Sequence, residues 1–373
     1  MTDLTGGPEA MHRATLQAVE RVLASGKYVL DREVVAFERL WAEACGVRFG
    51  IGVGNGMDAI TIGLLAQGIG PGDEVIVPAM TAFATVLAVI RSGATPVLAD
   101  IDPVTTLLSL ESAQRMMSRR TRAVVVVHLY GRMAPMSEWV AFCHEHGVAL
   151  IEDGAQAHLA RLRMGVAGSF GVVGAFSFYP TKNLGAIGDA GMLVTDDESI
   201  VQKARQWRDY GRSCASAAGL HVLAGLNSRL DELQAALLSA RLPWLEGFNA
   251  ARRAVAAAYR ENLNNPWITL PSASEEPEAH VHHQFVVTAV NREALRFHLR
   301  SRGIQTGIHY ALPLHWQPAC PVHSRYDPSG LFHAEQHAHR CLSLPCHPFL
   351  TMEAVERVIQ AVNDFVLPAE TEP

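Results

Sequence analysis

The sequence predicts an α/β protein, with a mostly parallel central sheet in a large domain and a smaller C-terminal α/β domain behind it. Two observations carry this. Between about Val47 and Thr195, short apolar and largely β-branched runs alternate with longer stretches of helical periodicity, as expected of strand–helix–strand units with right-handed crossovers. After Leu226 the texture changes to two long helical stretches and a break rich in Pro and Glu around Pro266–Pro277. We therefore place the N-terminal helices and a large domain in residues 1–245, and the small domain in 246–373.

The runs 74–78 (EVIVP), 95–99 (TPVLA), 123–127 (AVVVV) and 148–152 (VALIE) do not alternate polar with apolar, so they read as strands covered on both faces. Helices are expected between them at Met57–Gln67, Ala84–Ser92 and Met136–Glu145, and later at Asp231–Leu242 and Glu246–Leu263. In the small domain, Phe285–Val290 reads as a strand, Arg292–Arg302 as a helix and Met352–Phe365 as a closing helix. Pro8–Cys45 reads as two amphipathic helices, with Leu16, Val19 and Val22 on one buried face and Val34, Phe37 and Trp41 on the other. Ligands in open α/β sheets bind beyond the carboxyl ends of the strands, so function is sought there.

Composition removes several classes. A chain of 373 residues that is 49% hydrophobic and 18% charged builds a folded core. A net charge of −6 with no cluster of Lys and Arg gives no nucleic-acid footprint. No apolar run approaches the roughly 18 to 20 residues of a membrane span, and Met1–Gly26 lacks the pattern of a secretion signal. A cytoplasmic protein is expected. Cys45, Cys143, Cys214, Cys320, Cys341 and Cys346 show no paired spacing and read as free thiols. His280, His282 and His283, and His333, His337 and His339, are crowded but have no matching acid or thiol set, so no metal is expected.

Three segments fall at strand ends of the expected sheet. Gly52-Val53-Gly54-Asn55-Gly56-Met57-Asp58 is a glycine-rich turn into a helix, suited to a phosphate or simply to a tight turn, and it lacks the full dinucleotide fingerprint. Glu152-Asp153 follows a buried strand, where two acids are costly unless they are paired or have a task. Ala175–Gly185 is an apolar stretch around Lys182, one of only three lysines in the chain, with Lys27 and Lys203. A lysine in apolar surroundings has a depressed pKa and can form a Schiff base. A helix start for phosphate, an acid and a lysine are the parts that hold pyridoxal 5′-phosphate (PLP), whose pyridine ring acts as an electron sink.

Seven motifs in order resemble the DegT/DnrJ/EryC1/StrS family of PLP-dependent sugar aminotransferases. They are Val53–Ala59, Gly68–Pro78, His128-Leu-Tyr-Gly131, Glu152–His158, Phe176–Gly185, Asn227–Ala236 and Gly307-Ile-His-Tyr310, within a match from about residue 8 to 365. The resemblance implies the fold type I aminotransferase architecture, a homodimer with shared active sites, and transfer of an amino group from L-glutamate to a nucleotide-linked keto sugar. It assigns Lys182 as Schiff-base lysine and proton shuttle and Asp153 as partner of the pyridine nitrogen. Gln156 would lie by the cofactor face, with Ser177, Gly56 and Met57 on the phosphate and Asn227 reaching that phosphate from the neighbouring subunit.

Two positions depart from the family pattern. Where the family often has a ring-stacking aromatic after the Thr of V-P-A-x-T, this chain has Ala82, which leaves Phe83 to stack. After His158 stands Leu159 in place of the usual Gly, which would narrow the sugar pocket. The segments Gly307–Pro318 and Leu342–Pro348 are more similar to members acting on 3-keto hexoses than on 4-keto sugars, so Tyr179, Arg229, His309, Tyr310 and His315 are expected on the substrate side. The alternatives are a 4-keto-sugar or cyclitol aminotransferase, a sugar dehydratase, against which Lys182 argues, and a non-catalytic regulatory homologue.

Overall fold

The computed structural model describes residues 3–213, 219–274, 276–321 and 324–367; Cys214, Met1 and the last residues of the chain lie outside the described residues. Two helices open the chain, α1 (Glu9–Ser25) and α2 (Arg32–Cys45). The strands follow as β1 (Phe49–Val53), β2 (Glu74–Pro78), β3 (Thr95–Ala99), β4 (Thr121–Val127), β5 (Ala149–Asp153), a small hairpin β6 (Arg161–Leu162) and β7 (Gly165–Val166), then β8 (Val173–Ser177) and β9 (Gly191–Thr195). Later come β10 (Ile268–Thr269), β11 (Phe285–Ala289), β12 (Arg325–Tyr326) and β13 (Cys341–Leu344).

The main sheet has the order β1-β9-β8-β5-β4-β2-β3-β12. β8, β5, β4, β2, β3 and β12 run parallel, and β9 is antiparallel to both of its neighbours. Apart from β12 at the edge, the parallel strands are buried along nearly their whole length because helices cover both faces. These helices include α3 (Gly56–Ala66) and α4 (Phe83–Ser92). β5 runs one residue later than the sequence reading, and that shift puts Asp153 on the last strand position rather than beyond it.

A second core, built on Tyr259, Phe285, Val287, Leu295, Leu342, Leu344, Val355 and Val362, lies around the three-stranded sheet β10-β11-β13. The helices Leu245–Asn262, Arg292–Ser301 and Met352–Asn363 pack there. The C-terminal part is not confined to that core. β12 adds a strand to the main sheet, and Leu314, Leu331, Ala334 and Ala338 pack into the large core. No helix among the described residues is long and apolar enough to cross a membrane. Cys45, Cys143, Cys320, Cys341 and Cys346 are free thiols.

One amphipathic face differs from its expectation. α2 buries Val34, Phe37 and Trp41, but α1 buries Met11, Ala18 and Val22 and leaves Leu16 exposed. Ala18 and Val22 meet Ala236 of the helix Glu232–Arg241, and small residues allow that close approach. Glu232 of the same helix caps α2, its carboxylate accepting from the backbone N–H groups of Asp31 (2.8 Å), Glu33 (2.8 Å) and Val34 (3.0 Å).

Candidate active site

The turn after β1 is held from behind. Glu38 accepts the Gly52 N–H at 2.8 Å, Arg208 donates to the Gly52 carbonyl at 2.9 Å, and the two side chains pair at 2.5 Å in the interior. Ser228 accepts from the Gly54 N–H at 3.0 Å. Asn55 then caps α3 by accepting the Asp58 N–H at 2.8 Å, so the N–H groups of Gly56 and Met57 open the helix with no intrahelical partner. A Cβ on Gly56 would lie 2.7 Å from that of Ser177, so glycine lets this helix start seat against the end of β8. Gly56, Met57 and Ser177 thus form one cradle whose donors and helix dipole suit an anion.

The adjacent acids at the end of β5 have different employments. Glu152 is fully buried and accepts from Gly168, Phe170 and Gly171 N–H (2.8, 2.7 and 2.8 Å) and faces His128 Nε2 at 3.0 Å. It organises the loop before β8. Asp153 turns the other way, accepting from Thr85 Oγ1 at 2.9 Å and from the Ala155 N–H at 3.1 Å. Thr85 is steadied in turn by Thr81 Oγ1 at 3.2 Å.

Lys182 sits in the loop from β8 to β9 and keeps part of its surface accessible. Burial of its amine nevertheless pushes the pKa down to about 8, against the opposing pull of the Asp153 charge. At pH 8 about half of such amines are neutral, against less than about 1% for an ordinary lysine. Burial and the Lys182 charge also push His309 down to about 4 and His283 well below the usual range, so both rings face the amine uncharged.

Gln156 is buried with its ends engaged. Its Oε1 accepts the Tyr130 N–H at 2.6 Å and its Nε2 donates to Tyr310 Oη at 3.2 Å. Burial raises the Tyr310 phenol to about 12. Gly131, at φ +94°, permits this layer, since a Cβ there would lie 2.8 Å from the Gln156 carbonyl oxygen and 2.9 Å from the His283 nitrogen. His309 pairs through Nδ1 with Ser343 Oγ at 2.8 Å.

The structure brings together Gly56 with Ser177 and Gln156 with Tyr310, and puts the Lys182 amine within the field of the Asp153 charge. The other residues singled out in the sequence take different partners. Tyr179 is exposed at the mouth of the lysine loop. Phe83 packs half-buried against the main core. Asn227 is exposed and pairs through its backbone with Asp209, while Arg229 donates to Asp209 at 3.1 Å and lies 5.3 Å from the Tyr210 ring centre. His315 turns to Glu335 at 2.9 Å and to Tyr326 of β12. Leu159, at φ 57°, packs against the cluster of Phe37, Trp41 and Phe178, so its side chain fills that core where a narrowed sugar pocket was expected. Sequence reasoning missed Thr85, His158, Asn183 and Asn249, whose partners are 19 to 98 residues away in the chain.

The parts fit PLP by their chemistry: an anion cradle at a helix start, a carboxylate fixed by a threonine, and a lysine whose pKa burial lowers to about 8. Such a site, at the carboxyl end of a parallel sheet, defines an α/β enzyme of amino-group chemistry. Comparison with known proteins gives its family. The DegT/DnrJ/EryC1/StrS aminotransferase family profile matches residues 9–363. A dTDP-3-amino-3,6-dideoxy-alpha-D-galactopyranose transaminase of Aneurinibacillus thermoaerophilus is 43% identical, over 94% of each chain. A Geobacillus stearothermophilus protein called pleiotropic regulatory protein is 39% identical over 98% of each. The crystal structure of Streptomyces venezuelae DesV in complex with a ketimine intermediate superposes with a TM-score of 0.92 at 41% identity, covering 97% of each chain. The chain belongs to the DegT/DnrJ/EryC1/StrS aminotransferase family and is an aminotransferase.

Proposed function

We propose that this enzyme uses PLP to move an amino group from L-glutamate to C3 of a nucleotide-linked 3-keto-6-deoxyhexose, and that it works as a homodimer with shared active sites. The observation that carries the reading is the Lys182 amine, depressed to about 8 by burial within the field of the Asp153 charge, on the loop that leaves Ser177 of the Gly56 cradle. The name of the Aneurinibacillus relative supports the 3-amino product. When bound, PLP supplies an electron sink for negative charge at the carbon that carries nitrogen.

The residues divide the remaining work. The N–H groups of Gly56 and Met57 with Ser177 bind the phosphate, and Asp153, oriented by Thr85, holds a proton on the ring nitrogen. Lys182 supplies the amine and carries the proton at its Nζ, which its depressed pKa allows near neutrality. Gln156, pinned by Tyr130, lies against the cofactor face, with Phe83 as the stacking ring. Asn227 reaches the phosphate of the partner's site, which its exposure on one protomer supports. Tyr179, Arg229, His309, Tyr310 and His315 line the side from which sugar and donor arrive. The regulatory reading draws on the name of the Geobacillus relative; a protein that only binds has no need of a fixed acid and a reactive amine together.

The test incubates the purified enzyme with PLP, L-glutamate and dTDP-linked 3-keto or 4-keto hexose, with mass spectrometry of the sugar product. An amino sugar from the 3-keto substrate supports the reading. Product from the 4-keto sugar alone overturns the C3 assignment, and no amine from either overturns the choice of substrate.

A further inference from the structure

We propose that His158 is a positioning residue for the reacting amine: its ring ties the Ser177 carbonyl to the Leu184 amide and so fixes the loop that carries Lys182. This rests on the reading of Lys182 as that amine. The chain leaves the sheet at Ser177 and rejoins it at Gly191. Between them, Lys182 lies in a turn closed by its own backbone, with Lys182 N–H donating to the Tyr179 carbonyl and Ala186 N–H to the Phe178 carbonyl, both at 2.8 Å. These bonds shape the turn without anchoring it to the rest of the site.

His158 supplies the anchor next to Lys182, while Arg241 Nη1 on the Gly185 carbonyl at 2.7 Å and Gln234 Oε1 on the Ile187 N–H at 3.0 Å hold the far end of the loop. Leu184 N–H donates to Nδ1 at 3.0 Å, and Nε2 lies 3.0 Å from the Ser177 carbonyl oxygen. An amide only donates and a carbonyl only accepts, so Nδ1 is bare and the single ring proton is on Nε2. An imidazolium would aim N–H at N–H. The ring is fully buried in a T-shaped contact with Trp41, at 5.3 Å between centres and 75° between planes. Burial, and secondarily the Lys182 charge, push its pKa down to about 3. With both nitrogens engaged and the ring neutral, His158 has no proton to trade, so its role is geometric.

A second tie holds the residue next to Lys182. Asn249, fully buried on the helix Leu245–Asn262, donates from Nδ2 to the His158 carbonyl at 2.9 Å and accepts from Asn183 Nδ2 at 2.8 Å. Asn183 also donates to the Val281 carbonyl at 3.1 Å and faces His283 Nδ1 through its Oδ1. His158 and Asn183 together bind the lysine loop to the end of β5 and to the first helix of the second core.

The test uses the holoenzyme with His158→Ala, His158→Asn and His158→Gln. Asn keeps an acceptor near Nδ1 and Gln keeps a donor near Nε2, so each preserves one bond. An amine displaced by about 1 Å costs about 100-fold in rate. We expect that loss in kcat for His158→Ala, with smaller losses for Asn and Gln and an unchanged KM for L-glutamate. A second readout needs no cofactor. With three lysines in the chain, acylation of Lys182 by an amine-reactive ester is read by peptide mass spectrometry. Its rate should rise with a midpoint near pH 8 in the wild type and move toward the ordinary lysine value in His158→Ala. Thermal destabilisation with kcat and the labelling midpoint unchanged would overturn the proposal, leaving a packing role. If the Ala variant does not fold, wild-type values of both quantities in Asn and Gln overturn it equally. A wild type that never transaminates, with a labelling midpoint that still shifts in the variants, sinks the functional reading and leaves the anchor standing.

Discussion

The cleft around Lys182 and the edge of the main sheet at β12 both place buried carboxylates where chain segments meet, and they use them in opposite ways. At the edge, Asp327 accepts from Ser112 Oγ at 2.5 Å, Arg115 Nη2 at 2.8 Å and the Ser329 N–H at 2.9 Å. Asp100 accepts from the N–H groups of Ile101, His333 and Ala334 at 2.8, 3.0 and 2.8 Å, which caps the helix Phe332–Arg340. Glu74 holds Arg325 at 2.5 Å. These acids staple a segment of the C-terminal half to the large core. In the cleft, Asp153 has two donors that orient it and a neighbouring amine held at a pKa near 8. A satisfied acid builds a joint, and an oriented acid beside a depressed amine builds a reaction site.

Substitutions can break that contrast. The largest effect is expected at the amine: Lys182→Ala should lower transamination by at least about 10⁴-fold, with circular dichroism and melting close to wild type. Asp153→Asn keeps the shape and removes the charge, and should cost about 10² to 10³-fold in kcat in a steady-state assay.

At the edge the outcome should be reversed. Asp327→Ala should leave kcat unchanged and lower stability by about 2 to 3 kcal/mol in urea titrations, because charged hydrogen bonds are lost and their donors left unpaired. Hydrogen bonds from Arg115 and Ser112 hold Asp327 down to about 2, below the ordinary carboxylate value, against the opposing effect of burial. Its contribution is therefore complete above about pH 4 and is lost as pH falls from there through about 2. The wild-type pH–stability curve should show that loss and the variant should not.

The smallest effect has the opposite sign. A lysine whose folded pKa is depressed costs stability below its unfolded pKa, since the unfolded chain binds the proton more tightly. Lys182→Met should thus raise the melting temperature of cofactor-free protein at pH 7 by about 2 to 4 °C. The gain should shrink between pH 8 and the ordinary lysine value.

The parallel strands β2, β3, β4 and β5 were legible because each is a nearly unbroken apolar run, and the order of strand ends pointed to Gly56, Asp153 and Lys182 together. β9 carried no local signal, since an antiparallel strand buried on both faces reads like any other apolar run. The staple at β12 was hidden for another reason. Its two residues, Arg325 and Tyr326, are polar or amphipathic and join the sheet only through partners more than 200 residues away. The buried face of α1 was misread because Ala18 buries through closeness to Ala236 and not through size, which hydropathy does not weigh. In the site, residues that would touch the cofactor were found and those that hold them in place were not, even where, as with His158, they stand inside a motif. Thr85, His158 and Asn249 act through contacts that only the fold creates.

The central claim is that Lys182 and Asp153 make a working cofactor site, and the absorption spectrum of the protein with PLP, before and after L-glutamate, tests it most directly. The account predicts a visible band that forms with PLP, disappears on adding L-glutamate and is missing in Lys182→Ala. No visible band in wild-type protein with PLP added would contradict it.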